Sequence, residues 1–253
     1  KSSAASDVYK RQIPFKVPKN QVMDAFQKFS KKPLTPKDFS CDRVVDKMQG
    51  VYIPFWLYSG NCEGSITAEG INTRTWTSGN YRYTEKKYYS VYRNGTLDFK
   101  AVPVDASSKT DDDAMDSIEP FDYSEMTAFN PGYLSGYLAE RYDEDKDKCL
   151  PRAKERIENT TRDELRNTCN YNSVNVQSYE KHTEIKDVKY AMLPTWLLYT
   201  TYQDKPYFFA MNGQTGKFIG NLPISKGKLV AYSLLGGVGG YIIGAILQIM
   251  GIF

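Results

Sequence analysis

Histidine occurs once in the 253 residues, at His182, within the charged run Glu180-Lys181-His182-Thr183-Glu184. A Ser-His-Asp or Cys-His site would have to be assembled around it from unmarked residues, because no Gly-x-Ser-x-Gly elbow is present. Its neighbours read instead as a solvated strand or loop. The cysteines Cys41, Cys62, Cys149 and Cys169 are widely scattered, and none forms the Cys-x-x-Cys spacing of a zinc knuckle or a redox pair. The triplet Asp111-Asp112-Asp113 lacks the alternating oxygen ligands and distal glutamate of a calcium loop, and fits better as negative charge at a helix N-terminus. Adjacent carboxylates such as Asp143 and Glu144 are explained by solubility. A Gly-rich phosphate loop ending in Lys-Ser or Lys-Thr is missing, which argues against a nucleotide-driven motor. The chain therefore reads as non-enzymatic, with no catalytic, cofactor-binding or metal-ligating residue assigned.

The charge balance is too even to point to nucleic acid on its own: 33 Lys and Arg against 30 Asp and Glu, a formal +3. It is unevenly spread. Residues 13–50 carry 8 basic and 4 acidic side chains, whereas 111–147 is acidic. Aromatic residues make up 14 % of the chain, with 20 tyrosines, a composition that suits pleated sheet surfaces.

Elements that would position these residues follow from periodicity and punctuation. The first twelve residues, Lys1 to Gln12, have no periodicity and resemble translated linker sequence, so they are set aside as a non-native leader. Pro18 opens an amphipathic helix with Val22, Phe26 and Phe29 on one face. A second helix is predicted from Thr35 to Gly50. Strands then follow: Val51 to Ser59, an edge or bulged strand because of Pro54; Gly64 to Trp76; Tyr83 to Arg93; and Thr96 to Val104. Asn94-Gly95 reads as the type I′ turn of a hairpin joining the last two. A short helix begins after Asp111, and a longer one runs from about Asp145 to Thr168, with a restart at Thr161. Strands Ser173 to Tyr179, Lys189 to Tyr202, Tyr207 to Met211 and Lys217 to Gly220 close the soluble part. Pro54-Phe55-Trp56-Leu57 and Pro194-Thr195-Trp196-Leu197 share Pro-x-Trp-Leu, a pattern that two sheet units built on one plan would explain.

The final segment, Leu229 to Phe253, has no charged side chain. As a helix it would reach about 37 Å, against a hydrocarbon core of about 30 Å, so it is predicted to be a transmembrane anchor. Lys226 and Lys228 just before it place the preceding domain on the cytoplasmic side of a cell membrane, where free thiols are expected. Ser233, Gly236, Gly237, Gly240 and Gly244 form small-residue rows suited to self-association or to a second span.

Several segments together carry a resemblance: Ile13-Pro14-Phe15, Val51-Tyr52-Ile53-Pro54-Phe55-Trp56, Met192-Leu193-Pro194-Thr195-Trp196 and Ala210-Met211-Asn212-Gly213-Gln214-Thr215-Gly216-Lys217, followed by Leu222-Pro223-Ile224-Ser225-Lys226. They are similar to a family of bacterial membrane proteins labelled as containing a TFIIB-type zinc ribbon. The motif positions are Pro54, Trp56, Pro194, Trp196, Asn212, Gly213, Thr215 and Gly216. The resemblance implies a four-cysteine zinc ribbon ahead of this chain, a mixed domain, and C-terminal membrane spans; it assigns no zinc ligand here.

These readings combine into an α+β fold of antiparallel sheet units with two short N-terminal helices, a longer middle helix and a C-terminal transmembrane helix. The divisions are 1–12 leader, 13–143 first α+β unit, 144–228 helix plus second β unit, and 229–253 anchor. The expected role is a membrane-anchored protein-interaction or scaffold module with a protein partner. Nucleic-acid binding through the basic Lys16 to Lys47 region is the alternative, disfavoured because Phe26 and Phe29 face inward. A PepSY-like regulatory unit, suggested by the Asn-Gly-x-Thr-Gly turn, is a further alternative.

Overall fold

A computed structural model describes residues 10–37, 39 and 48–249, with side chains described for 11–37, 39 and 48–237. Their strands join one sheet. In chain order they are β1 (Lys10–Gln12), β2 (Gln49–Ser78), β3 (Tyr81–Asp105), β4 (Thr127–Ala128), β5 (Leu138–Ala139), β6 (Ser173–Tyr202), β7 (Lys205–Asn212) and β8 (Phe218–Gly220). The helices are α1 (Lys19–Ser30), α2 (Asp112–Ser117), α3 (Lys146–Asn167) and α4 (Lys226–Ile249). The sheet order is β3-β2-β6-β1-β4, with β5 also on β2, β7 on β6 and β8 on β7. Most pairings are antiparallel, but β1 runs parallel to β6 and β5 parallel to β2.

The sheet is built twice from the same wiring. Ile13 N–H donates to Met192 O at 3.1 Å, and Glu140 N–H donates to Tyr52 O at 3.0 Å. The N–H groups of Lys16 and Val17 both reach Gly213 O at 2.9 Å; those of Asp143 and Glu144 reach Ala106 O at 3.0 and 3.2 Å. Gly213 N–H donates to Pro194 O at 2.8 Å, as Ala106 N–H does to Pro54 O at 2.9 Å. Each tryptophan of the Pro-x-Trp pair then locks the residue just before a helix cap: Trp196 Nε1 donates to Val17 O and Trp56 Nε1 to Glu144 O, at 3.0 and 2.9 Å. The two copies meet where β2 and β6 run side by side, with Ile53 opposite Leu193.

The same arrangement explains two prolines inside long strands. On its outer side β2 pairs with β5 at Val51 and Tyr52 and with β3 from Phe55 onward. Likewise β6 pairs with β1 up to Met192 and with β7 from Thr195. Pro54 and Pro194 stand in the gaps between successive neighbours, where a missing N–H costs no ladder bond.

Helices cover the sheet crosswise. Val22 and Phe26 of α1 pack on Trp196, Leu198, Phe209 and Met211, that is, on the β6–β7 hairpin. Helix α3 packs on the β2–β3 hairpin, with Cys149 and Ala153 against Tyr58 and Val104, and Leu165 against Ile66 and Val91. On the opposite face, Met115 of α2 and Ile118 just after it cover Val51, Ile53, Phe55, Leu57 and Leu193.

Several sequence expectations need correction. The fold is one continuous, largely β, mixed sheet rather than separate antiparallel units, because β2 and β6 each run unbroken through segments read as two strands. Asn94-Gly95 is not a turn: Ser65 and Gly64 pair with it in mid-strand, and the hairpin closes at Gly79-Asn80 instead. Gly79 has φ +59° while Asn80 stays at negative φ, the pattern of a type II′ turn. Thr161 continues α3 without a break, its hydroxyl donating to Ile157 O. Of the predicted second helix, residues 38 and 40–47 lie outside the described residues, and Gln49-Gly50 begins β2. Of the stretch set aside as leader, residues 1–9 lie outside the described residues, while Lys10–Gln12 pairs with Tyr190–Met192 as β1.

The transmembrane helix is also corrected. Among the described residues no helix is long and apolar enough to cross a membrane. Helix α4 opens on Lys226 and Lys228, and Lys228 Nζ donates to Thr35 O, so its first turn is charged and tied to the body.

Candidate interaction site

Past the duplicated body, the three longest strands continue as an arm. The junction is a double irregularity at Ser59-Gly60: β3 slips between Val102 and Phe99, and β6 slips between Asp187 and Ile185. Ala101 takes up the slack at φ +54°, its N–H donating to Ser59 Oγ at 3.0 Å. A side chain at position 60 would put its Cβ 2.0 Å from Glu184 O, so only glycine lets the strands approach there. Beyond this bend, β2 is flanked by β3 and β6 as far as Ile71. Tyr171, just after α3, lies over Gly70 and against Tyr89, with ring centroids 5.2 Å apart. The third strand starts where Asn172 and Asn72 exchange bonds: Thr73 N–H donates to Asn172 Oδ1 at 2.7 Å, and Asn172 N–H to Asn72 Oδ1 at 3.2 Å.

From Asn72 to Lys87 only two strands remain, a ribbon of about 23 Å along each strand. Trp76 stacks on its cross-strand partner Tyr83, with centroids 5.6 Å apart and planes 14° from parallel, and Arg74 lies 5.8 Å from the Trp76 ring centre. Such pairs hold the ribbon together without a third strand. They do not bury it. Tyr81, Tyr83, Tyr88, Tyr89 and Tyr92 of β3 are 40–72 % exposed.

Among the described residues β3 pairs only with β2, so its outer edge presents a row of backbone N–H and C=O groups without a strand partner; Tyr92 O accepts from Arg93 Nη1 at 2.8 Å. Along Tyr81 to Arg93 this edge carries four cations, Arg82, Lys86, Lys87 and Arg93, and one anion, Glu85. The outer edge of β6 differs. From Glu180 to Lys189 its cations and anions balance at three each, and Lys181 and Lys189 are engaged by Glu158 and Asp187.

The residues suited to chemistry are kept apart. His182 is exposed on the open face of the arm, opposite Glu63, in a depression of about 410 Å³ lined also by Ser65, Tyr92, Asn94 and Thr96. Cys62 is buried on the other face, its thiol beside Thr183 and Tyr179 under α3, so it cannot pair with His182. Cys149 is buried too, and desolvation followed by the charges of Glu144 and Asp105 pushes its thiol up to about 11, away from reactivity. Cys41 lies outside the described residues. Among the described residues no cluster of His, Cys, Asp or Glu could hold a metal, so the zinc-ribbon label that the resemblance brings has no counterpart here.

The densest charge cluster braces the body. Arg152 meets Asp105, Asp112 and Asp116 at 2.7 Å each, and Arg156 meets Asp116 and Glu119 at 3.0 and 2.9 Å, tying α2 and β3 to α3. Burial pushes the Asp105 carboxyl up to about 6 although Arg152 and Thr110 donate to it.

The motif residues build turns. Asn212 Oδ1 accepts from Gln214 N–H and Thr215 N–H at 2.9 and 3.0 Å, and its Nδ2 donates to Ile118 O and Pro120 O at 3.1 Å. Gly216 closes the turn at φ +78°, its N–H donating to Asn212 O. Pro54, Trp56, Pro194, Trp196 and Gly213 serve in the duplicated wiring described above. In α4, Ser233 Oγ donates to Leu229 O of its own helix, and a Cβ on Gly236 or Gly237 would meet nothing within 4 Å. The side chains at Gly240 and Gly244 lie outside those described. Lys228 Nζ donates to Thr35 O at 2.6 Å, and Lys226 is exposed.

Comparison with known proteins narrows little. A protein of Bacillus subtilis (strain 168) named "Uncharacterized protein YdjG" is 39 % identical to this chain over 222 residues, which is 87 % of this chain and 65 % of that protein. The chain thus spans about two-thirds of that relative's length, falling just short at 65 %. No family model matches. No solved structure matches either.

Sequence reading missed the arm's edge as the site. The signals were present in Gly79-Asn80, a two-residue turn pair, set between runs of Thr, Tyr and Arg.

Proposed function

We propose that the protein is an interaction module that captures a polypeptide partner through the arm formed by β2 and β3. The observation that carries this reading is the outer edge of β3, unpaired among the described residues and bordered by exposed tyrosines. An open strand edge is a template for another extended chain, whose main-chain hydrogen bonds give affinity while neighbouring side chains give selectivity. Aromatic side chains are the residue types that anchor such contacts. The doubled body then serves as the rigid base from which the arm projects.

The test is site-specific photocrosslinking in cells, with a photoreactive residue at Tyr88 or Tyr92 and a control at Glu155 on the exposed side of α3. A discrete covalent adduct from the arm positions, absent from Glu155 and competed by excess purified chain, is the expected result. Equal adducts from all three positions, or none, would dismiss the arm as the interaction surface.

A further inference from the structure

We infer that the partner seated on the outer edge of β3 is an extended acidic polypeptide segment, added antiparallel or parallel along Tyr81 to Arg93; this rests on the reading of the arm as an interaction surface. Charge decides the sign of the partner. Arg82 and Lys86 flank the open face of the edge, on the same side as Tyr88 and Tyr92, while Lys87 and Arg93 flank the face toward α3. Cations therefore border the added strand on both faces; within Tyr81 to Arg93 the one anion is Glu85, 3.6 Å from Lys87, and Glu69 of β2 lies one strand inward, opposite Ser90. Carboxylates at adjacent positions of an added strand would point to opposite faces and meet this pattern from both sides. Apolar or β-branched residues between them would lie against the tyrosines.

Two other occupants fit less well. A second copy pairing β3 to β3 would bring the same cationic run against itself, and like charges directly across a strand pair are destabilising. Single-stranded nucleic acid would use the cations and the rings, but it has no groups spaced to satisfy the row of backbone N–H and C=O groups along the edge.

The experiment is fluorescence anisotropy on the full chain with three labelled probes: a peptide of repeated Asp-Asp-Val-Thr, its Lys-Lys-Val-Thr counterpart, and an oligothymidylate of equal charge to the acidic peptide. The acidic peptide is expected to bind at least tenfold more tightly than either other probe. The triple variant Arg82→Glu, Lys86→Glu, Lys87→Glu, all exposed positions, is expected to reverse the preference to the lysine peptide. N-methylation of alternate backbone amides of the acidic peptide is expected to abolish binding, which simple charge attraction would not do. Tighter binding of the oligothymidylate, indifference to the triple variant, or full binding by the N-methylated peptide would each overturn the inference. If the peptides fail while Tyr88 still yields a discrete adduct, the acidic partner is wrong and the interaction arm stands.

Discussion

Asp105 shows how one buried side chain ties the sequence to the fold's response to pH. It occupies the place in the first copy that Asn212 fills in the second, opposite Phe55 as Asn212 is opposite Thr195. Asn212 makes its bonds without charge, whereas Asp105 sits at 1 % exposure and relies on Arg152 and Thr110. Burial raises its folded-state pKa from 3.8 to about 6, so its protonated form is the one the fold favours. The stability it contributes is therefore complete below the unfolded value and is lost as pH rises through about 6. A shift of this size corresponds to about 3 kcal/mol at most. Asp105→Asn removes the titration while keeping an acceptor for Thr110. The difference in unfolding free energy, wild type minus Asp105→Asn, is expected to fall between pH 4 and pH 7 in chemical denaturation; a flat or rising difference would show that the ion pair with Arg152 outweighs desolvation. The carboxylates Asp122, Glu125 and Asp143, whose pKa values are lowered by Ser124, Lys16 and Ser108 respectively, act in the opposite direction in both proteins and cancel in this difference.

Among the elements, the arm's tip is separable from the body. Beyond Ile71 it pairs with no third strand; Asn72 and Thr73 at its base bond Asn172, while the cross-strand contacts of Trp76 with Tyr83 and Thr75 with Thr84 are internal to the ribbon. Asn72 and Lys87 are paired in register, so deleting 73–86 and joining them through Gly-Asn should leave a hairpin closed by the same kind of turn. The melting temperature of this variant is expected to stay within about 4 °C of the parent, a change of roughly 1 kcal/mol or less, while photocrosslinking from the retained Tyr92 weakens. A fall much larger than that would mean that the tip is part of the cooperative core. Parts of this level were legible in the sequence. The spacing of Val22 and Phe26 after Pro18, the cap at Asp111 and the span of α3 all gave local signals that tertiary packing did not overrule. Asn94-Gly95 misled because turn preference is a local quantity, while Gly64-Ser65 across the sheet supplied a partner strand that held the pair extended. The site itself left a weaker trace, since an unpaired edge is a property of neighbours, and no residue of β3 announces which neighbour is missing.

For the molecule as a whole, duplication with exchange of helices is the organising feature. Helices α1 and α3 each cover the other copy's hairpin, so neither copy buries its own apolar face alone. Only Pro-x-Trp-Leu betrayed this in the sequence, because the remaining equivalences are backbone hydrogen bonds, which constrain residue type little apart from proline and glycine. Charge asymmetry was legible as composition but not as geometry: the basic stretch of residues 13–50 drew notice, while the cations of β3, diluted among acids elsewhere in the chain, did not. The copies differ most in the long β2–β3 hairpin against the short β6–β7 one, and the proposed function resides in that difference. Hydrogen–deuterium exchange of the full chain, with and without the Asp-Asp-Val-Thr peptide, tests this most directly. Slower exchange confined to the amides of Tyr81 to Arg93, with those of Ser173 to Val188 on the opposite edge unchanged, is the expected result. Protection on the β6 edge, or on α4 with β3 unaffected, would contradict the assignment of binding to the arm's outer edge.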